Sequence, residues 1–81
     1  MGNVITLFKV YTEPGNEEKV STEIKNSLNP KGMQLEDIAF GIKVIKVMFV
    51  HDDSEGSSII EEKLRKVNGV TEVEVADESL I

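Results

Sequence analysis

Three features of the sequence predict an α+β fold built on one antiparallel sheet. Four segments alternate apolar and polar residues, or run apolar for seven of nine positions, as strands do. Two others repeat apolar residues about every fourth position, as helices do. They follow one another as β-α-β-β-α-β with short links. Two β-α-β halves give a four-stranded antiparallel sheet in the order 4-1-3-2, with both helices on one face: the ferredoxin-like sandwich.

The first strand covers residues 4–11, with Val4, Thr6, Phe8 and Val10 on one face and Ile5, Leu7, Lys9 and Tyr11 on the other. Glu13-Pro14-Gly15-Asn16 ends it and offers Asn16 as a helix cap. A helix over 17–28 follows, striped by Val20, Ile24 and Leu28, with Glu17 and Glu18 well placed in its first turn. Asn29-Pro30-Lys31-Gly32 stops it. The second strand, 33–40, is weaker, with apolar Met33, Leu35 and Ile38 interrupted by Glu36 and Asp37. It turns into the third either at Phe40-Gly41 or earlier, at Glu36-Asp37.

Residues 42–50 form the most apolar stretch, so this strand belongs at the sheet centre beside the first. Ile45, Val47 and Phe49 share one row with Lys43; Ile42, Val44, Lys46, Met48 and Val50 share the other. A polar loop at 51–56 leads to a second helix over 59–67, striped by Ile60, Leu64 and Val67, for which Ser58 and Glu61 suggest a capping box. Asn68-Gly69 closes that helix, a last strand runs over 70–76, and 77–81 read as a tail. With helices on one face only, Ile5, Leu7, Tyr11, Val44, Met48 and Val50 should line an open apolar face. Such a face suits a protein partner or weak self-association, unless one strand's register is shifted by one.

Eighty-one residues make one small domain. The absence of cysteine excludes disulfides and thiolate chemistry. No apolar run approaches the roughly 20 residues of a membrane helix, and residues 1–3 lead straight into a strand without a leader pattern, so the expected location is cytoplasmic. Fifteen acidic against nine basic side chains give a net charge of −6, which repels a phosphate backbone and argues against direct nucleic-acid binding. The sole histidine, His51, lies among acids at a strand end and reads as a solvated loop residue. Asp52, Asp53 and Glu55 lack the spacing of a calcium loop, the glycines stand alone at turns, and the single arginine, Arg65, is on a helix. No cofactor, metal site or catalytic constellation is expected, and elimination leaves a binding module.

The stretch Ile38-Ala39-Phe40-Gly41-Ile42-Lys43, followed by an apolar strand and the acidic loop after Val50, resembles the elongation factor 1-beta family. The likeness is to its archaeal form and to the C-terminal exchange domain of its eukaryotic relatives. The opening Met-Gly-Asn-Val, the Lys9-Val10 pair and residues 68–75 extend it over essentially the whole chain. It implies guanine-nucleotide exchange on the GTPase elongation factor 1-alpha, without enzymatic chemistry of its own. It implies partner-binding roles for Ala39, Phe40, Gly41 and Lys43 at the corner, with Phe40 as a projecting aromatic, and for Leu80 and Ile81 at the end. Asp37 stands where family members often have proline, and the chain lacks the penultimate lysine of the eukaryotic relatives: Leu80 cannot replace a magnesium charge. The alternative is a non-catalytic ferredoxin-like interaction or self-assembly module.

Overall fold

The computed structural model describes residues 2–39, 41–54 and 56–80. Its elements are β1 (Asn3–Thr12), α1 (Glu17–Leu28), β2 (Gly32–Ala39), β3 (Ile42–Asp52), α2 (Ser57–Arg65) and β4 (Val70–Leu80). All three strand pairings are antiparallel and the order is β2-β3-β1-β4, the expected 4-1-3-2 read from the other edge. The two most apolar strands are the central pair.

Alternation along β1 and β3 places Phe8 and Val10 beside Val47 and Ile45. With Phe49 and Val73 these residues meet Val20 and Ile24 of α1 and Leu64 of α2 in one buried cluster, so both helices cover the same face. Phe8 and Phe49 pack edge to face, ring centroids 5.9 Å apart. Two turns depend on glycine. Gly41 (φ +78°) helps reverse the chain between the paired residues Ala39 and Ile42, which selects the later of the two candidate turns. Gly69 (φ +99°) follows α2, and a Cβ there would lie 2.8 Å from Val20 Cγ2. Because Val20 is fully buried and cannot retreat, Gly69→Ala should lose about 1–3 kcal/mol, read as a lower urea midpoint.

Several local expectations are corrected. The second helix starts two residues earlier and ends two earlier than its pattern suggests, with Gly56 as N-cap and no side-chain cap bond, so the Ser58–Glu61 capping box does not form. Asn16 also caps through its backbone alone: its carbonyl accepts from Val20 N at 2.9 Å. Residues 77–80 are not a tail but the end of β4, paired with β1. The outward rows of β1 and β3 are as expected, yet Ile5, Leu7, Tyr11, Met48 and Val50 are only half-buried and Val44 is 1% exposed. Lys46, bonded to Glu36 at 2.9 Å, interrupts them. The open face is thus a mixed surface, not a broad apolar patch.

Candidate functional site

The described residues among the sequence-predicted site fall at two opposite ends of the sheet. At one end is the β2–β3 hairpin. Its register slips between Asp37 and Ala39, a bulge that leaves Ile38 without a direct partner, and Ala39 then pairs with Ile42. Ile38 and Ile42 are 52% and 49% exposed, so the turn is flanked by branched apolar side chains in solvent. A Cβ at Gly41 would meet nothing within 4 Å. Lys43 is exposed and stands opposite Asp37 across the strand pair. Phe40 itself, and the side chain of Ala39, lie outside the described residues.

At the other end Leu80 closes β4, 74% exposed and paired with Val4, which in turn pairs with His51. Ile81 lies outside the described residues. The two ends are far apart. Tyr11 lies seven residue steps along β1 from Val4, roughly 23 Å of strand, and the hairpin reaches beyond the Tyr11–Val44 pair. The molecule is 41 Å long. The structure therefore brings Gly41 and Lys43 together and holds Leu80 away from them.

The Leu80 end contains a feature the sequence reading missed. His51 is not a solvated loop residue: it belongs to β3, is 9% exposed, and its Nε2 lies 2.8 Å from the fully buried Thr6 Oγ1. The Thr6 hydroxyl donates to Glu78 Oε2 at 3.2 Å, and His51 Nδ1 is 3.0 Å from the backbone carbonyl of Asp52. A signal was present. His51 shares the parity of Ile45, Val47 and Phe49, and Thr6 that of Phe8 and Val10. Glu78 could not have been read so, because β4 slips register between Leu7 and Phe8 of β1, where Ala76 is skipped. The bulge moves Glu78 and Leu80 onto the face that Val73 occupies earlier in the strand.

Next to this chain, the Ser54 backbone N–H donates to Asp52 Oδ1 at 3.1 Å and holds the Asp52 carboxyl below the usual carboxylate range, with the Asp53 side chain acting in the same direction. The contact is present at neutral pH and lost as that carboxyl is protonated in acid. Gly2 and Asp53 are joined twice, Gly2 N to Asp53 Oδ2 at 3.2 Å and Asp53 N to Gly2 O at 3.1 Å, which fastens the start of β1 to the loop after β3.

No group of three or more metal-ligating side chains occurs among the described residues. A cleft of about 570 Å³ between α1 and β2 is lined by Ser21, Thr22, Lys25 and Lys31 over Met33 and Leu35, and its lining includes none of the predicted site residues. Among the described residues no helix is long and apolar enough to cross a membrane. What the geometry offers is two separated exposed regions at the ends of one sheet, one apolar and flanked by a lysine, the other a strand end bearing an exposed leucine.

The comparisons with known proteins agree with one another. The family model of the EF-1 guanine nucleotide exchange domain matches residues 9–81. The chain is similar to elongation factor 1-beta of Methanothermobacter thermautotrophicus, 36% identical over 95% of this chain and 94% of that protein. It is similar also to elongation factor 1-beta of Methanosarcina mazei, at 35% over 95% and 96%, and of Aeropyrum pernix, at 34% over 98% and 97%. With an exchange-domain match that begins within β1 and runs to residue 81, and relatives covered over 94% or more of their own length, the chain belongs to the EF-1 guanine nucleotide exchange domain family.

Proposed function

We propose that the protein is a guanine-nucleotide exchange factor that promotes GDP release and GTP loading on elongation factor 1-alpha in the cytoplasm, acting as a single domain over residues 1–81. The family match over residues 9–81 carries this reading. The geometry supports a two-point grip: Phe40, Ala39, Gly41 and Lys43 contact the GTPase at one end of the sheet, and Leu80 with Ile81 at the other. Leu80 carries no charge, so contact at that end is apolar and does not substitute for a metal ion. The protein makes and breaks no covalent bond. It acts by differential binding: a factor that prefers the nucleotide-free GTPase weakens GDP affinity by the same factor by which GDP weakens its own.

The test is release of a fluorescent GDP analogue from the cognate GTPase, with and without the protein. Acceleration at substoichiometric factor is expected; a complex that forms equally well with and without bound GDP would mean an interaction module instead. Lys43 provides a second check. It is exposed at the hairpin and stands opposite Asp37 across the strands, so Lys43→Ala should slow stimulated release at low salt and converge on the parent protein as salt rises. The difference expected is about fivefold, within the usual worth of an interfacial charge.

A further inference from the structure

Hydrogen-bond accounting around Thr6 leads to a proton. The Thr6 hydroxyl has one hydrogen, and in this geometry it goes to Glu78 Oε2. The Thr6 oxygen then accepts from His51 Nε2–H. The other ring nitrogen faces the Asp52 carbonyl oxygen, which can only accept, so Nδ1 also carries hydrogen. The complete chain therefore needs an imidazolium. Its positive charge sits one hydroxyl away from the Glu78 carboxylate.

Loss of the Nε2 proton breaks this order. Nδ1 keeps its hydrogen for the carbonyl, Nε2 becomes an acceptor, and two acceptors now compete for one hydroxyl hydrogen. The Nε2 contact is the shorter, 2.8 Å against 3.2 Å, so the hydroxyl turns to the ring and Glu78 loses its donor. The charged and titratable groups around the ring are Glu78 from β4, Asp53 in the adjoining loop and Asp52 in β3 itself. The cleft of about 290 Å³ beside them is otherwise lined by Val4, Gly56, Ser57 and Ser58, with no lysine or arginine in its lining among the described residues. The bulge at Ala76 separates residues 77–80 from the rest of the β4 ladder. The Thr6–Glu78 bond is the one side-chain tether between this segment and β1 among the described residues.

We infer that His51, Thr6 and Glu78 form a proton-controlled positioning relay that holds the end of β4, and with it Leu80, in the pose used for partner contact. The inference rests on the exchange reading above for the role of Leu80. Protonated His51 secures the strand end through this bond; neutral His51 removes the bond and loosens it.

The experiment has two arms on the full chain, over pH 5 to 8.5, the range in which histidine side chains change charge. Nitrogen-15 NMR reads the state of each His51 ring nitrogen, and amide hydrogen exchange gives protection factors at Ser79 and Leu80. Those factors should fall about two- to tenfold, the worth of one hydrogen bond, at the midpoint that the ring resonances report. Stimulated GDP release, divided by the GTPase's own release at each pH, should fall at the same midpoint. Thr6→Val, close in shape and without the hydroxyl, should show the low protection at every pH with no step, and Thr6→Ser should restore the step. Protection that is flat across the ring titration, or a step that survives in Thr6→Val, overturns the relay. A step in protection without one in release overturns the positioning role alone. Absence of stimulated release at every pH overturns the exchange reading and the positioning role with it, and the NMR arm still decides whether the relay exists.

Discussion

Replacing Phe8 by alanine should cost about 3–5 kcal/mol of folding stability, the largest effect of any single truncation in this chain. Phe8 is fully buried on the central strand and lies edge to face against Phe49, with Val20, Ile24 and Leu64 of the two helices in the same cluster. Truncation removes the aromatic pair and leaves a cavity that the sheet backbone cannot close, since β1 is bonded on both sides. A domain of this size has about 4–12 kcal/mol in total, so the variant should approach unfolding at room temperature. Urea titration checks this, with a lower midpoint at unchanged slope. Phe8→Leu, which refills most of the volume, should recover most of the loss. A loss under about 1 kcal/mol for Phe8→Ala would mean that the helices are not clamped on this face.

The second large effect concerns binding. Phe40→Ala should weaken the complex with the GTPase by about 2 kcal/mol or more, close to thirtyfold in Kd, with less than about 1 kcal/mol lost from the fold. Ile38 and Ile42, its neighbours along the hairpin, are about half exposed, and branched apolar side chains left in solvent at a turn suit contact with a partner. Leu80→Ser at the opposite end should weaken binding by a smaller amount, about 1 kcal/mol. Because the two contacts stand at opposite ends of a sheet in a molecule 41 Å long, the double variant should show the sum of the two losses to within about 0.5 kcal/mol. Binding isotherms, GDP-release rates and urea midpoints on the three variants decide the matter. A destabilised Phe40→Ala with normal stimulated release would assign Phe40 to the core and move the site elsewhere; strong non-additivity would mean that both residues serve one contact.

The same contrast separates what could be read along the chain from what could not. Element types, their order and the core rows were legible because they follow from local periodicity: Phe8 and Val10 on one side of β1, Ile45, Val47 and Phe49 on one side of β3, Val20 and Ile24 on one stripe of α1. Strand order followed from connection length and from placing the two most apolar strands in the middle. The family resemblance at residues 38–43 was legible too, since it rests on residue identity and not on contacts. Of the candidate site, the residues could be named, but not their separation.

Tertiary structure alone decided the rest, and the reason in each case is that the deciding partner is remote in sequence. Alternation assigns a face only as long as the ladder is unbroken, so the bulge opposite Leu7 and Phe8 could not be foreseen, nor that it would carry Glu78 onto the side of Thr6, 72 residues away. His51 looked solvated because its neighbours in sequence are acids; in space its ring meets the buried Thr6 hydroxyl, which is bonded to Glu78 from the far end of the chain. Val44 sits on the outward row yet is hidden, because exposure on an open sheet face is set by the long side chains of adjoining strands. The capping box failed because α2 begins where the loop from β3 delivers it, at Gly56, rather than where its own residues would start it best. Sequence determined which side chains this sheet would carry on each unbroken run; the pairing of strands, a long-range choice that buries the most apolar surface, decided which of them would meet and how far apart the hairpin and Leu80 would stand.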